Sequence, residues 1–237
     1  MADDLQKLFP TRSDTYPEPT DVDRVFKIGN AALSAIPVLG QITSNVLAEF
    51  LSPPLGKRLA LWCKEFADDF DTLAEKVDGQ GLDKLQENEV FVSSVAQATK
   101  IAMGTHQVEK RDMLRNALLN IAVGRNPDED EVFMFLQLVE RFTPLHVKVL
   151  GFLQSPRMLM KGKVPDLQIQ LGFSLRTGIA TVVTELKGRD ELIKNILFDL
   201  YNSSLIPNAG ENDVIQHPAV SNTGIKFINF VTKSPLD

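Results

Sequence analysis

The sequence predicts a mainly α-helical protein, a multi-helix bundle with a small C-terminal winged-helix-like module. Three observations predict this fold class. Apolar residues recur at intervals of three and four from Leu59 to Val77, which is the spacing of one face of an α-helix. Proline and glycine divide much of the remaining chain into segments of helical length. Only from Ser204 onwards do turn residues alternate with short apolar runs, and there the sequence predicts a two-stranded hairpin followed by a short helix.

The composition limits the class of protein. The chain has 237 residues, of which 43% are hydrophobic and 24% charged, as in globular domains and unlike disordered, collagen-like or multi-span membrane proteins. Its single cysteine, Cys63, excludes an internal disulfide framework and a zinc site built from several cysteines. The formal net charge of −6 means that the surface as a whole does not attract nucleic acid.

The chain divides into four predicted segments. Prolines interrupt the first residues, where no apolar period develops, and two further prolines bound the stretch SPRMLMKGKVP. The predicted segments are an irregular N-terminal arm over 1–19, a helical bundle over 20–154, a basic linker over 155–165 and a helical and winged-helix-like module over 166–237.

Capping residues and prolines mark the helix ends in the first half of the chain. Thr20 begins the first predicted helix, and Pro37 predicts a kink or a break inside it. Pro53 lies in the first turn of the next helix, which contains the regular apolar stripe. We expect three aromatic side chains of that stripe to be buried together, with Cys63 beside them as a core thiol: Trp62, Phe66 and Phe70.

Similar marks bound the later helices. Asn88 can cap a helix, Gly124 stands where a left-handed C-terminal residue is favoured, and Thr143 precedes a proline that begins a helix. The helix after Asn126 is apolar on more than one face, which predicts a buried position. Its apolar residues are Val132, Phe133, Phe135, Leu136, Leu138 and Val139.

The predicted C-terminal module has the element order of a winged helix. Helices are predicted from about Asp166 to Leu186 and from Arg189 to about Tyr201, before the hairpin. Many winged helices bind DNA through a basic recognition helix. Residues 185–237 hold five bases and seven acids, so we expect this module to pack or to contact protein rather than phosphate.

An uncharged stretch precedes the regular helix. The 21 residues from Ile28 to Ala48 carry no formal charge, which is long enough to span a hydrocarbon core of about 30 Å. Three interpretations stay open: a kinked helix buried in the bundle, a helix that can meet or enter a membrane, and a constitutive span. Its candidate membrane or oligomer contacts are two small residues and two amides: Gly40, Ser44, Gln41 and Asn45.

The loop from Arg157 to Lys163 mixes bases with apolar side chains. Arg157, Lys161 and Lys163 form a predicted basic surface, and Met158, Leu159 and Met160 lie between them. This mixture suits an anionic lipid surface or an acidic partner. The alternative is a solvated loop whose methionines and leucine fold back on the core.

The sequence predicts no catalytic, cofactor-binding or metal-ligating residue. Its three histidines are widely separated and form no His-x-x-x-His pair, and no glycine-rich phosphate loop is present. Four acids lie together on what is predicted to be the solvated face of the regular helix: Glu65, Asp68, Asp69 and Asp71.

Three parts of the chain resemble bacterial abortive-infection proteins of the Abi-alpha kind. The first is the uncharged helix with the motif IPVLG, followed by the helix that starts at Pro53-Pro54. The second runs from KRDMLRNALLNIA to LVERFTPLHVKVLGFL, and the third from LFDLYNSSLI to SNTGIKFINF. The resemblance implies a bacterial cytoplasmic protein that can associate with the inner membrane and has a role in phage defence. It implies no catalytic residue, because the motifs are packing patterns.

These observations favour a non-enzymatic phage-defence effector or regulator. It would act through a protein partner or self-association, with an anionic membrane surface as a further contact, and without a cofactor. The alternative is a protein-interaction or transcription-linked regulator that acts through the winged-helix-like module. A hydrolase with an unrecognised site is the third interpretation.

Overall fold

A computed structural model describes residues 53–76, 85, 87–125, 127–166, 172–207, 214–215 and 219–236. These residues are mainly helical, which confirms the predicted fold class at that level. The predictions on the N-terminal arm and on the stretch 28–48, with Gly40, Gln41, Ser44 and Asn45, lie outside the described residues. Among the helices that are described, none combines the length and apolarity needed to cross a membrane.

The described elements follow one another in this order: α1 Pro53–Lys76, α2 Glu89–Gly104, α3 Val108–Ala122, α4 Glu129–Arg141, α5 Pro144–Gln154, α6 Pro156–Met160, β1 Phe173–Ser174, α7 Leu175–Val182, a 3-10 turn Thr184–Leu186, α8 Asp190–Asn202, β2 Val214–Ile215 and α9 Asn222–Thr232.

Backbone packing divides the described residues into two units. One unit comprises the described residues from Pro53 to Glu140 together with 230–236, and we call it the four-helix unit after its described helices α1 to α4. The other, the C-terminal unit, comprises the described residues from Arg141 to Asn229. Helix α5, predicted within the bundle, packs in the C-terminal unit against α7 and α8. The predicted segment boundaries at residues 154 and 165 stay predictions.

The regular stripe of α1 forms the core of the four-helix unit. Trp62 and Phe66 are fully buried, and their rings stack with centroids 5.9 Å apart. Phe70 is half-buried and lies 5.9 Å from Phe66, so the predicted cluster is confirmed with its last member nearer the surface. Cys63 is buried beside it, and burial raises the pKa of its thiol to about 12. The prediction of a core thiol is therefore confirmed.

The helix ends predicted at Asn88 and Gly124 are also confirmed. The Oδ1 of Asn88 accepts a hydrogen bond from the backbone N–H of Phe91 at 3.1 Å, which caps α2. Gly124 follows α3 with φ of +68°, a left-handed conformation that glycine adopts without strain. Five apolar residues of α4 are buried as expected: Val132, Phe135, Leu136, Leu138 and Val139.

The predicted C-terminal hairpin is wrong. Val214–Ile215 pairs antiparallel with Phe173–Ser174, in the register Phe173 with Ile215 and Ser174 with Val214. The single helix predicted from about Asp166 to Leu186 is also interrupted, because β1 at Phe173–Ser174 lies within that range and α7 runs only from Leu175 to Val182. Gly172 has φ of +87°, which a helix does not allow. The Oγ of Ser174 accepts from the N–H of Thr177 at 3.2 Å and so caps α7 at its true start.

Candidate functional site

Helix α8 has one buried side and one exposed aromatic side. Its apolar residues Ile193, Ile196, Leu197 and Leu200 are buried. Phe198 and Tyr201 point the other way and are 63% and 49% exposed. Residues three, four and seven apart share one side of a helix, so these rings belong to a continuous exposed stripe. We call this stripe the α8 face, and it comprises Glu191, Lys194, Asn195, Phe198, Tyr201 and Asn202.

A buried histidine supports α8 from the start of α5. The backbone N–H of Thr143 donates to Nδ1 of His146 at 3.2 Å. Because a backbone N–H can only donate, Nδ1 is the acceptor and the hydrogen of the neutral ring lies on Nε2. Nε2 then donates to Oδ2 of Asp199 at 3.3 Å. This contact joins the first turn of α5 to the last turns of α8.

The surroundings of His146 keep its ring neutral. Burial lowers the pKa of His146, and the positive charge of Arg141 lowers it further, while the hydrogen bond and the charge of Asp199 oppose the shift. The ring also stacks on Phe142 with centroids 4.6 Å apart. A second proton would place an N–H of the ring against the N–H of Thr143, so protonation breaks the helix cap.

A chain of polar contacts connects the side chains of Thr143, His146 and Asp199. This arrangement superficially resembles the catalytic triad of an acyl-transfer enzyme. The Oγ1 of Thr143 is 3.0 Å from Nδ1 of His146, the atom that would have to accept its proton. That atom already accepts the backbone N–H of Thr143 in a capping box. We therefore interpret these contacts as structural: they stabilise the start of α5 and the end of α8.

Arg141 and Ser203 hold the C-terminal end of α8. Arg141 donates through Nη2 to Oγ of Ser203, and that hydroxyl donates to the backbone oxygen of Asp199 at 2.7 Å. The guanidinium also lies over the ring of Phe142, 5.0 Å from its centroid. The α8 face is therefore presented by a helix whose end is fixed by several polar contacts.

The predicted basic surface is partly exposed. Arg157, on the short helix α6, and Lys161, just after it, are exposed, whereas Lys163 is half-buried. Within the described part of the chain these three bases form no ion pair. The apolar residues between them divide: Leu159 and Met160 are buried, and Met158 is 64% exposed. The expectation that the apolar side chains fold back on the core is confirmed for the first two and wrong for Met158.

A buried ionic cluster joins α1 to α3 in the four-helix unit. The side chain of Arg115 is 2% exposed, and its Nε lies 2.7 Å from Oδ2 of Asp69. Its Nη1 lies 2.5 Å from Oε2 of Glu65, and its Nη2 lies 2.5 Å from Oδ1 of Asp112. Arg111 also contacts Glu65, with Nε 3.3 Å from Oε2.

This cluster corrects the prediction of a solvated acidic face on α1. Asp68 and Asp71 are exposed as expected, but Glu65 is largely covered and Asp69 is buried. The residue spacing within α1 alone predicts a solvated face, whereas the ion pairs of Glu65 and Asp69 need a second helix. The available signal was the matched spacing, because Glu65 and Asp69 are four residues apart, as are Arg111 and Arg115.

The cluster carries no visible site for a ligand. Its carboxylates are occupied by guanidinium groups, and among the described residues no group of His, Cys, Asp or Glu is arranged to hold a metal ion. The α8 face and the basic surface carry the three most exposed large apolar side chains of the described residues, Met158, Phe198 and Tyr201, together with charged groups.

Comparisons of the chain with protein-family models, with curated proteins and with solved structures found no match.

Proposed function

We propose that this chain is a non-enzymatic regulator that acts through protein contacts, with the α8 face as its contact surface. The observation that carries the proposal is the exposure of Phe198 and Tyr201, at 63% and 49%, on one stripe of a helix whose other side is buried. Aromatic residues are enriched at protein interfaces and dominate their binding energy. Two large rings in solvent on a firmly held helix are typical of such a surface.

The order of elements supports a winged-helix-like interpretation of the C-terminal unit. Helices α5 and α6 are followed by β1, then by α7, the 3-10 turn and α8, and then by β2, which pairs with β1. In helix-turn-helix proteins the second helix of the pair is the one that reads its target. Helix α8 is likewise the second helix of the pair α7 and α8, which supports the choice of its exposed side as the proposed contact surface.

The charge of α8 favours a protein target over DNA. The helix carries Asp190, Glu191 and Asp199 against the single base Lys194. DNA binding depends on neutralising phosphates with Lys and Arg, so an acidic helix is poorly suited to the transcription-linked alternative. Acidic and aromatic side chains together suit a partner that offers bases and apolar groups.

The resemblance to abortive-infection proteins supports phage defence as the biological role within this proposal. The test is the plating efficiency of phages on bacteria that express the chain. We expect the wild type to protect and the variant F198S/Y201S to lose protection. The matched control K187S changes another exposed residue of the same unit and should protect fully. Equal protection by F198S/Y201S and wild type would contradict a role for the α8 face.

Peripheral contact with an anionic membrane is a second candidate. One observation favours it: Met158, 64% exposed, stands between the exposed bases Arg157 and Lys161, a combination that suits an interfacial site. The test is cosedimentation with phosphatidylglycerol vesicles, where R157E/K161E should lose binding that the wild type shows. Absence of wild-type binding at low salt would contradict this candidate.

A further inference from the structure

We draw no further inference here: the strongest candidate, the exposed aromatic side of α8 with Phe198 and Tyr201, carries nothing further, because an acid and a base, Glu191 and Lys194, are exposed on it together and nothing in the structure shows what covers it.

Discussion

The Nε2 of His146 lies 3.3 Å from Oδ2 of Asp199, and this contact links residues that are 53 positions apart in the chain. It fixes the last turns of α8 against the first turn of α5 inside the C-terminal unit. The carboxylate of Asp199 is 47% exposed, whereas the His146 side chain is 9% exposed. A buried neutral ring thus holds a helix whose other side presents Phe198 and Tyr201.

The stability of the chain should fall in mild acid because of His146. Burial lowers its pKa in the folded chain below the ordinary 6.5, so the unfolded chain binds more protons as the pH drops below about 6.5. Stability is therefore greatest above this pH and is lost as the pH falls towards the lowered pKa of the folded chain. The variant H146Q keeps an acceptor for the N–H of Thr143 but does not titrate.

Urea denaturation at pH 7.5 and pH 5.5 measures this effect. We expect the midpoint of the wild type to fall more between the two pH values than that of H146Q. His106 is exposed, and H106Q should follow the wild type. If the denaturation midpoint of H146Q depends on pH as steeply as that of the wild type, His146 is not the cause of the pH dependence.

Removing Arg115 should strongly destabilise the four-helix unit. The variant R115M leaves Asp69 and Asp112 buried without their guanidinium partner, and breaking a buried ion pair on one side costs about 3–5 kcal/mol. The control K64M removes the pair between Lys64 and Asp68, whose side chains are 51% and 62% exposed, and should cost about 0.5 kcal/mol or less. Chemical denaturation measures the free energy of unfolding of both variants. A similar decrease for R115M and K64M would contradict the structural role of the ionic cluster.

Truncating Phe66 should cost about 3–5 kcal/mol of unfolding free energy. Its ring is fully buried and stacks on Trp62, so F66A opens a cavity in the core. F198A removes an equal ring that is 63% exposed, and it should change stability by no more than about 0.5 kcal/mol. An unchanged denaturation midpoint for F66A would refute the core assignment of α1.

The full chain should not bind duplex DNA at physiological salt. Asp190, Glu191 and Asp199 on α8 repel phosphates, and Lys194 is the only base of that helix. Fluorescence anisotropy with labelled duplexes of mixed sequence checks this expectation. Binding that weakens with salt, and that is lost in K194E, would instead favour the transcription-linked alternative.

Local features could be predicted from the sequence because their causes lie within one or two helical turns. The cap of Asn88 on α2, the left-handed Gly124 and the aromatic stripe with Trp62 and Phe66 each follow from neighbours in the chain. These interactions need no knowledge of how the helices pack.

The features that were missed depend on contacts between distant segments. Val214 pairs with Ser174 rather than with a nearby strand, and no local pattern distinguishes the two pairings. Asp69 looks like a surface acid on α1 until α3 brings Arg115 against it. The exposure of Phe198 was likewise not predicted, because it depends on which side of α8 the rest of the unit covers.

The most direct test of the proposed contact surface is photo-cross-linking in living bacteria. A photoreactive residue replaces Phe198 in one version of the full chain and the exposed Lys187 in another. We predict that position 198 gives a protein cross-link of defined mass, either to a second copy or to another protein, and that position 187 gives none. Equal yields at the two positions, or no protein cross-link from position 198, would contradict the account.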